Sequence, residues 1–201
     1  MIKIIQNLDL YNDIEKYDVI LVGTGTYCSM SQGFQRSVML NFPYVQEMNM
    51  ETKYGDPKKL GTILECKKEG SPTFVLLFIY EGNFRPDLKS VYLSYESLEK
   101  CLKIVNILYK GQKIACTFLG ASRFDGNGNK DEIFNIIARS TNNLDLSIYD
   151  YEQQSREEKL KEVRISEIRL KTVDLDAYYE AVKKRKKEAD ERFEKNGHAR
   201  Y

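Results

Sequence analysis

Residues 18–38 read DVILVGTGTYCSMSQGFQRSV. An apolar run of buried-strand length passes through a glycine-rich turn and enters an amphipathic helix. Phe34, Val38 and Phe42 share one helical face, and Pro43 is expected to stop that helix. A strand, a small-residue turn and a helix N-terminus together make an anion site, because unpaired backbone N–H groups and the helix dipole both favour negative charge there. Glycine lets the backbone approach the anion closely. The question is which phosphate-binding fold this is.

The common fingerprints fail. A GxGxxG motif beginning at Gly23 needs glycine at position 28, where Cys28 stands, and no Gly-Lys-Ser/Thr follows as in a P-loop. The stretch DGNGNKDEIFNI from Asp125 has acidic and amide residues at EF-hand spacing. It lacks the sixth-position glycine and the twelfth-position glutamate, so calcium is rejected. The one histidine, His198, lies in a charged tail, which argues against Ser-His or Cys-His catalysis and against zinc.

Outward from the opening segment, the order of elements sets the fold class. Residues 2–6 (IKIIQ) read as a short strand. LGTILECKK and PTFVLLFIYE read as a hairpin joined by EGSP. A helix capped by Ser94 carries Leu98, Leu102, Val105 and Leu108 on one face and ends at Gly111. KIACTFLG, from 113 to 120, is another buried strand. NKDEIFNIIARST is a helix capped by Asn129 or Asp131, with Ile133, Ile136 and Ile137 inward. LDLSIYDYE is the last strand. This pattern predicts an α/β domain, a mixed sheet with helices on both faces. Two loops then qualify as ligand sites at strand carboxyl ends, 23–33 and 120–130. The second, LGASRFDGNGN, is glycine-rich and opens a helix, so two such loops side by side would grip a diphosphate.

Composition bounds the rest. The chain has 201 residues, 42% of them hydrophobic, with a net charge of +1, so nothing in the bulk charge points to nucleic acid or membrane. No apolar run reaches the ~20 residues that span a bilayer, and the N-terminus has no signal-peptide core. Cys28, Cys66, Cys101 and Cys116 are scattered without a CxxC pair, as expected of reduced thiols in a cytoplasmic protein. Over half of the residues from Arg156 onward are charged. A domain over 1–153 followed by a mostly helical extension over 154–201 is therefore expected. The run Lys183 to Lys187 is either a solvated face or a contact for an acidic or nucleic-acid partner.

The ordered segments resemble the macrodomain family, whose fold binds ADP-ribose. NLDLYND resembles the exit of the family's first strand. MSQGFQRSVMLNFP resembles its glycine-rich loop and helix, and KKLGTILE the start of its middle strand. YESLEKCL followed by IACTFLGASRFDGNGNKDEIFNII resembles the helix, strand and second phosphate loop, and LSIYDYE the closing strand. The match is strongest to the branch holding the terminal ADP-ribose glycohydrolases and the ADP-ribose-1''-phosphate phosphatases. It implies a three-layer macrodomain-like sheet over 1–153, with no cofactor and no metal.

The resemblance also implies roles. Asp9 would accept the adenine amine, with Leu10 beside it. Thr24 stands in the stretch where many members place an asparagine against the distal ribose. Ser31, Gln32 and Gly33 stand where the family has a glycine triplet. Gly120, Ala121, Ser122, Arg123 and Phe124 form the second phosphate loop, and Asp125 matches an acidic residue that acts at the distal ribose. The glycohydrolases' nucleophilic lysine is missing: Tyr80 and Glu81 occupy the end of its strand. Three readings follow: a hydrolase of ADP-ribosyl linkages or of ADP-ribose-1''-phosphate, an inactive ADP-ribose reader, and an assembly protein with a vestigial pocket.

Overall fold

In the computed structural model, residues 1–6, 8–81, 91–122 and 126–150 are described. Six strands form one sheet: β1 (Ile2–Gln6), β2 (Val19–Gly25), β3 (Ile63–Cys66), β4 (Thr73–Tyr80), β5 (Lys113–Thr117) and β6 (Asp145–Asp150), in the order β1-β6-β5-β2-β4-β3. All neighbours run parallel except β3, which pairs antiparallel with β4 through the expected hairpin. The helices are α1 (Gly33–Asn41), α2 (Pro43–Glu51), α3 (Tyr95–Leu108) and α4 (Lys130–Ser140).

The alternation of side chains along the strands assigns the helices to two faces. Val19 and Leu21 of β2, Val75, Leu77 and Ile79 of β4, and Ile114 and Cys116 of β5 pack against α3 and α4. There they meet Leu98, Cys101, Leu102 and Val105 of α3 and Ile133, Ile136 and Ile137 of α4. The other face carries Phe74, whose ring lies 4.6 Å from that of Phe42 at the junction of α1 and α2. The result is a three-layer α/β/α domain, as the apolar runs in the central strands require.

Three details depart from the sequence reading. Pro43 does end α1, but it also opens α2 as its first-turn proline, where its missing N–H costs nothing. Leu108 is exposed, and Tyr109 takes the buried position after Val105. An unanticipated 3-10 helix, Leu10–Lys16, follows β1 and buries Leu10 and Ile14. The tail from residue 151, with the helix expected there, lies outside the described residues, as do Arg123, Phe124 and Asp125.

Asn129 caps α4 as expected, accepting from the Glu132 N–H at 3.0 Å. Asn129→Ala should cost about 1 kcal/mol, the usual worth of such a cap. Urea unfolding checks this, and an unchanged midpoint would mean that the cap contributes nothing.

Candidate functional site

The topology marks one place on the sheet. β2 and β5 are parallel neighbours, yet their onward connections leave in opposite directions. From β2 the chain passes through α1, α2 and β3 to β4 on one side; from β5 it passes through α4 to β6 on the other. Such a switch point opens a crevice beyond the strand carboxyl ends. Loop one (26–32) and loop two (118–129) both begin there.

Loop one is pinned from beneath. The Gly55 N–H donates to the Thr26 carbonyl at 3.0 Å, and Tyr27 meets Tyr54 edge to face at 5.3 Å. The Gln46 side chain of α2 donates to the Cys28 carbonyl at 2.8 Å, and Met30 is fully buried. Cys28 itself adopts φ +53°, a left-handed conformation that non-glycine residues seldom take. The anchored loop presents Ser29 and Ser31 to solvent, their hydroxyls 3.1 Å apart.

The N-terminus of α1 stands open. Gln32 occupies the cap position without a side-chain cap bond, and the first turn holds no acidic residue. The Gln32 Oε1 and the Thr24 hydroxyl, at the end of β2, are buried without a hydrogen-bond partner among the described residues. Buried polar atoms are rarely left this way, so both have capacity for a further hydrogen bond. Gly33, the first residue of α1, has φ +52°.

Loop two is compacted by glycine. The Gly128 N–H donates to the Gly120 carbonyl at 2.9 Å, and the Gly126 and Asn127 N–H groups donate to the Ser122 carbonyl at 3.1 and 2.9 Å. A Cβ on Gly128 would come within 2.6 Å of Leu93, and one on Gly126 within 2.9 Å of the Gly120 carbonyl. The Ala121 N–H bonds back to Phe118 at 3.0 Å.

Tyr80, at the end of β4, packs between Gly23 of β2 and Gly126 of loop two. Its hydroxyl lies 2.6 Å from where a Cβ on Gly23 would stand, and its ring edge 3.0 Å from that of Gly126. Gly23 and Gly126 therefore leave the room that the Tyr80 ring fills. Sequence reasoning noted Tyr80 only as standing in a lysine's place; its packing against two glycines remote in sequence carries no local signal. Glu81, next to it, is exposed.

Asp9 stands at the start of the 3-10 helix. Its Oδ1 accepts from the Tyr11 N–H at 2.9 Å, so it acts as a cap, and its side chain is otherwise exposed. Leu10 is buried in the core. Thus Thr24 lies at the end of β2, Ser31 and Gln32 in loop one and Gly33 at the start of α1, while Gly120, Ala121 and Ser122 lie in loop two. Among the described residues no cluster of three metal-ligating side chains occurs, and no helix is long and apolar enough to cross a membrane.

This is the macrodomain fold. The macrodomain of DarG from Thermus aquaticus superposes with a TM-score of 0.58 at 15% identity, over 76% of this chain and 99% of that one. DarTG from Thermosipho africanus, solved in complex with ADP-ribose, matches with a TM-score of 0.59 at 18% identity, over 79% of this chain and 44% of that one. A protein of unknown function from Bacteroides thetaiotaomicron matches with a TM-score of 0.61 at 16% identity, over 75% of this chain and 98% of that one. No protein-family model and no curated protein matches the sequence.

Proposed function

We propose that the chain binds ADP-ribose, free or attached to a macromolecule, in the crevice beyond β2 and β5. The observation that carries this reading is the uncapped N-terminus of α1 at the switch point, with buried polar atoms on Thr24 and Gln32 that have no hydrogen-bond partner among the described residues. Backbone N–H groups of residues 31–33 and of loop two (120–124) hold the diphosphate, and the helix dipole assists. Asp9 takes the adenine amine, and Phe124 flanks the distal ribose. The ADP-ribose complex of the similarly folded DarTG supports the ligand class. Calorimetry against ADP-ribose, ADP-ribose-1''-phosphate and ATP tests the reading. Heat from ADP-ribose with low-micromolar affinity is expected, and silence from all three at millimolar ligand would leave the assembly-protein reading in its place.

Any turnover is assigned to Asp125, which would orient or deprotonate the attacking water, as in the glycohydrolase and phosphatase branch. General-base assistance is typically worth ~10²–10⁴-fold. Asp125→Ala should therefore slow release of ADP-ribose from a modified protein or nucleic acid by about two orders of magnitude and leave affinity within a few-fold. Unchanged turnover would remove Asp125 from the mechanism. Tyr80 and Glu81 in the lysine's place favour the second reading, an ADP-ribose reader without turnover. In that case the wild type binds and releases nothing.

The domain is assigned to residues 1–153, with 154–201 as an extension dispensable for folding, because its charged sequence offers little apolar surface to bury. A chain truncated after Gln154 should stay soluble and unfold cooperatively. A molten or insoluble product would show that the extension completes the core.

A further inference from the structure

Cys28 differs from the other three cysteines in its surroundings. Cys66, Cys101 and Cys116 are 0% exposed, and burial pushes each thiol up to about 12, so they stay protonated and inert at neutral pH. Cys28 is 7% exposed. Its Sγ accepts from the Lys59 ammonium at 3.2 Å and lies 3.3 Å from the Thr52 hydroxyl.

Lys59 is held in position rather than left to wander. It belongs to the 3-10 turn Pro57–Lys59. Its Nζ donates to the Thr52 hydroxyl at 2.8 Å and sits 4.6 Å above the Phe78 ring. Among the described residues no carboxylate pairs with it. The thiol is the nucleophile this lysine faces, and a separation of 3.2 Å is within the range from which two groups react.

We propose that Cys28 and Lys59 form a peroxide-responsive modification site that closes a reversible sulfur–nitrogen cross-link between loop one and the 57–59 turn. Hydrogen peroxide transfers one oxygen to Cys28, giving the sulfenic acid and one water. The Lys59 ammonium gives one proton to solvent, and the free amine so formed attacks the sulfur as the S–O bond breaks. An S–N bond forms, and the hydroxide that leaves takes a second proton from the nitrogen to become the second water. Overall the thiol, the ammonium and one peroxide become the sulfenamide, two waters and one proton. Sulfenic acids condense in this way even with a backbone nitrogen, a poorer nucleophile than an amine, and the product is reversible. Cys28 holds its strained φ +53° in the unmodified chain, so its side chain already points at the lysine before any oxidant arrives.

The test uses the full chain treated with hydrogen peroxide, followed by intact-mass and peptide analysis. A species about 2 Da lighter is expected, with the peptides of Cys28 and Lys59 joined, and dithiothreitol should restore the original mass. A disulfide between cysteines loses the same mass, so the joined peptides and two variants decide. Cys28→Ser should abolish the lighter species. Lys59→Arg keeps the cation but removes the amine, so Cys28 should then accumulate as a sulfenic acid that dimedone traps. Three results overturn the proposal: no lighter species in the wild type, a lighter species that persists in Lys59→Arg, or joined peptides that lack Cys28 or Lys59. The site stands or falls independently of whether the chain binds ADP-ribose.

Discussion

Gly33→Val is expected to weaken ADP-ribose binding by about 100-fold or more, a loss of about 2.7 kcal/mol. Gly33 opens α1 at φ +52° and is exposed. A side chain in the left-handed region costs roughly 1–2 kcal/mol, and a β-branched one more. The backbone escapes that cost by turning away, which withdraws the N–H groups proposed to hold the phosphate. A valine that stays in place instead fills the space the phosphate needs. Either outcome removes the same contacts. Calorimetry measures the loss, and circular dichroism with thermal unfolding confirms that the variant is folded, as an exposed position should allow. A folded Gly33→Val protein with wild-type affinity would sink the placement of the diphosphate at α1.

Gly120→Val should destabilise the domain by about 3 kcal/mol, near the middle of the roughly 2–5 kcal/mol that its two costs add up to. Gly120 has φ +79°, and an added Cβ would come within 2.8 Å of Leu93, a buried residue of the core beneath α3 and α4. The conformational cost of roughly 1–2 kcal/mol adds to an overpacking cost of roughly 1–3 kcal/mol. At about 2–4 °C per kcal/mol for a domain of this size, the melting temperature should fall by about 6–12 °C. Gly111 separates the two contributions. It has φ +84° with nothing within 4 Å of its would-be Cβ, so Gly111→Ala should show the conformational cost alone. Equal losses at both positions would mean that the contact with Leu93 is absorbed without strain.

Much of this fold was legible in sequence because its main signals are local. Apolar runs of strand length, the Ser94 and Asn129 caps and the EGSP turn all act within a few residues. α2 was missed for an equally local reason: Pro43 stops one helix and starts another, and residues 43–51 carry little apolar periodicity to show it. Leu108 and Tyr109 both satisfy a helical spacing from Val105, and only packing selects the tyrosine.

The candidate site divides in the same way. Strand ends and glycine-rich loops are readable from the chain. The fit of Tyr80 between Gly23 and Gly126, and the meeting of Cys28 with Thr52 and Lys59, join positions far apart in sequence. Cys28 reads from its neighbours as an ordinary reduced thiol; its cationic partner arrives only with the turn at 57–59.

The strand order has a consequence for how the chain is made. β1 is paired with β6 alone, Ile2 opposite Leu146 and Gln6 opposite Asp150. At roughly 5–20 residues per second, about 7–29 s of synthesis separates the two halves of that pairing. Through this interval the nascent chain carries a first strand with no place to dock, and β5 has a vacant edge. The sheet can close only after β6 leaves the ribosome, so the domain cannot complete its fold until nearly all of its own residues have been made. A stalled or truncated chain lacking β6 exposes two unpaired edges at once, the kind of species that chaperones hold and proteases clear.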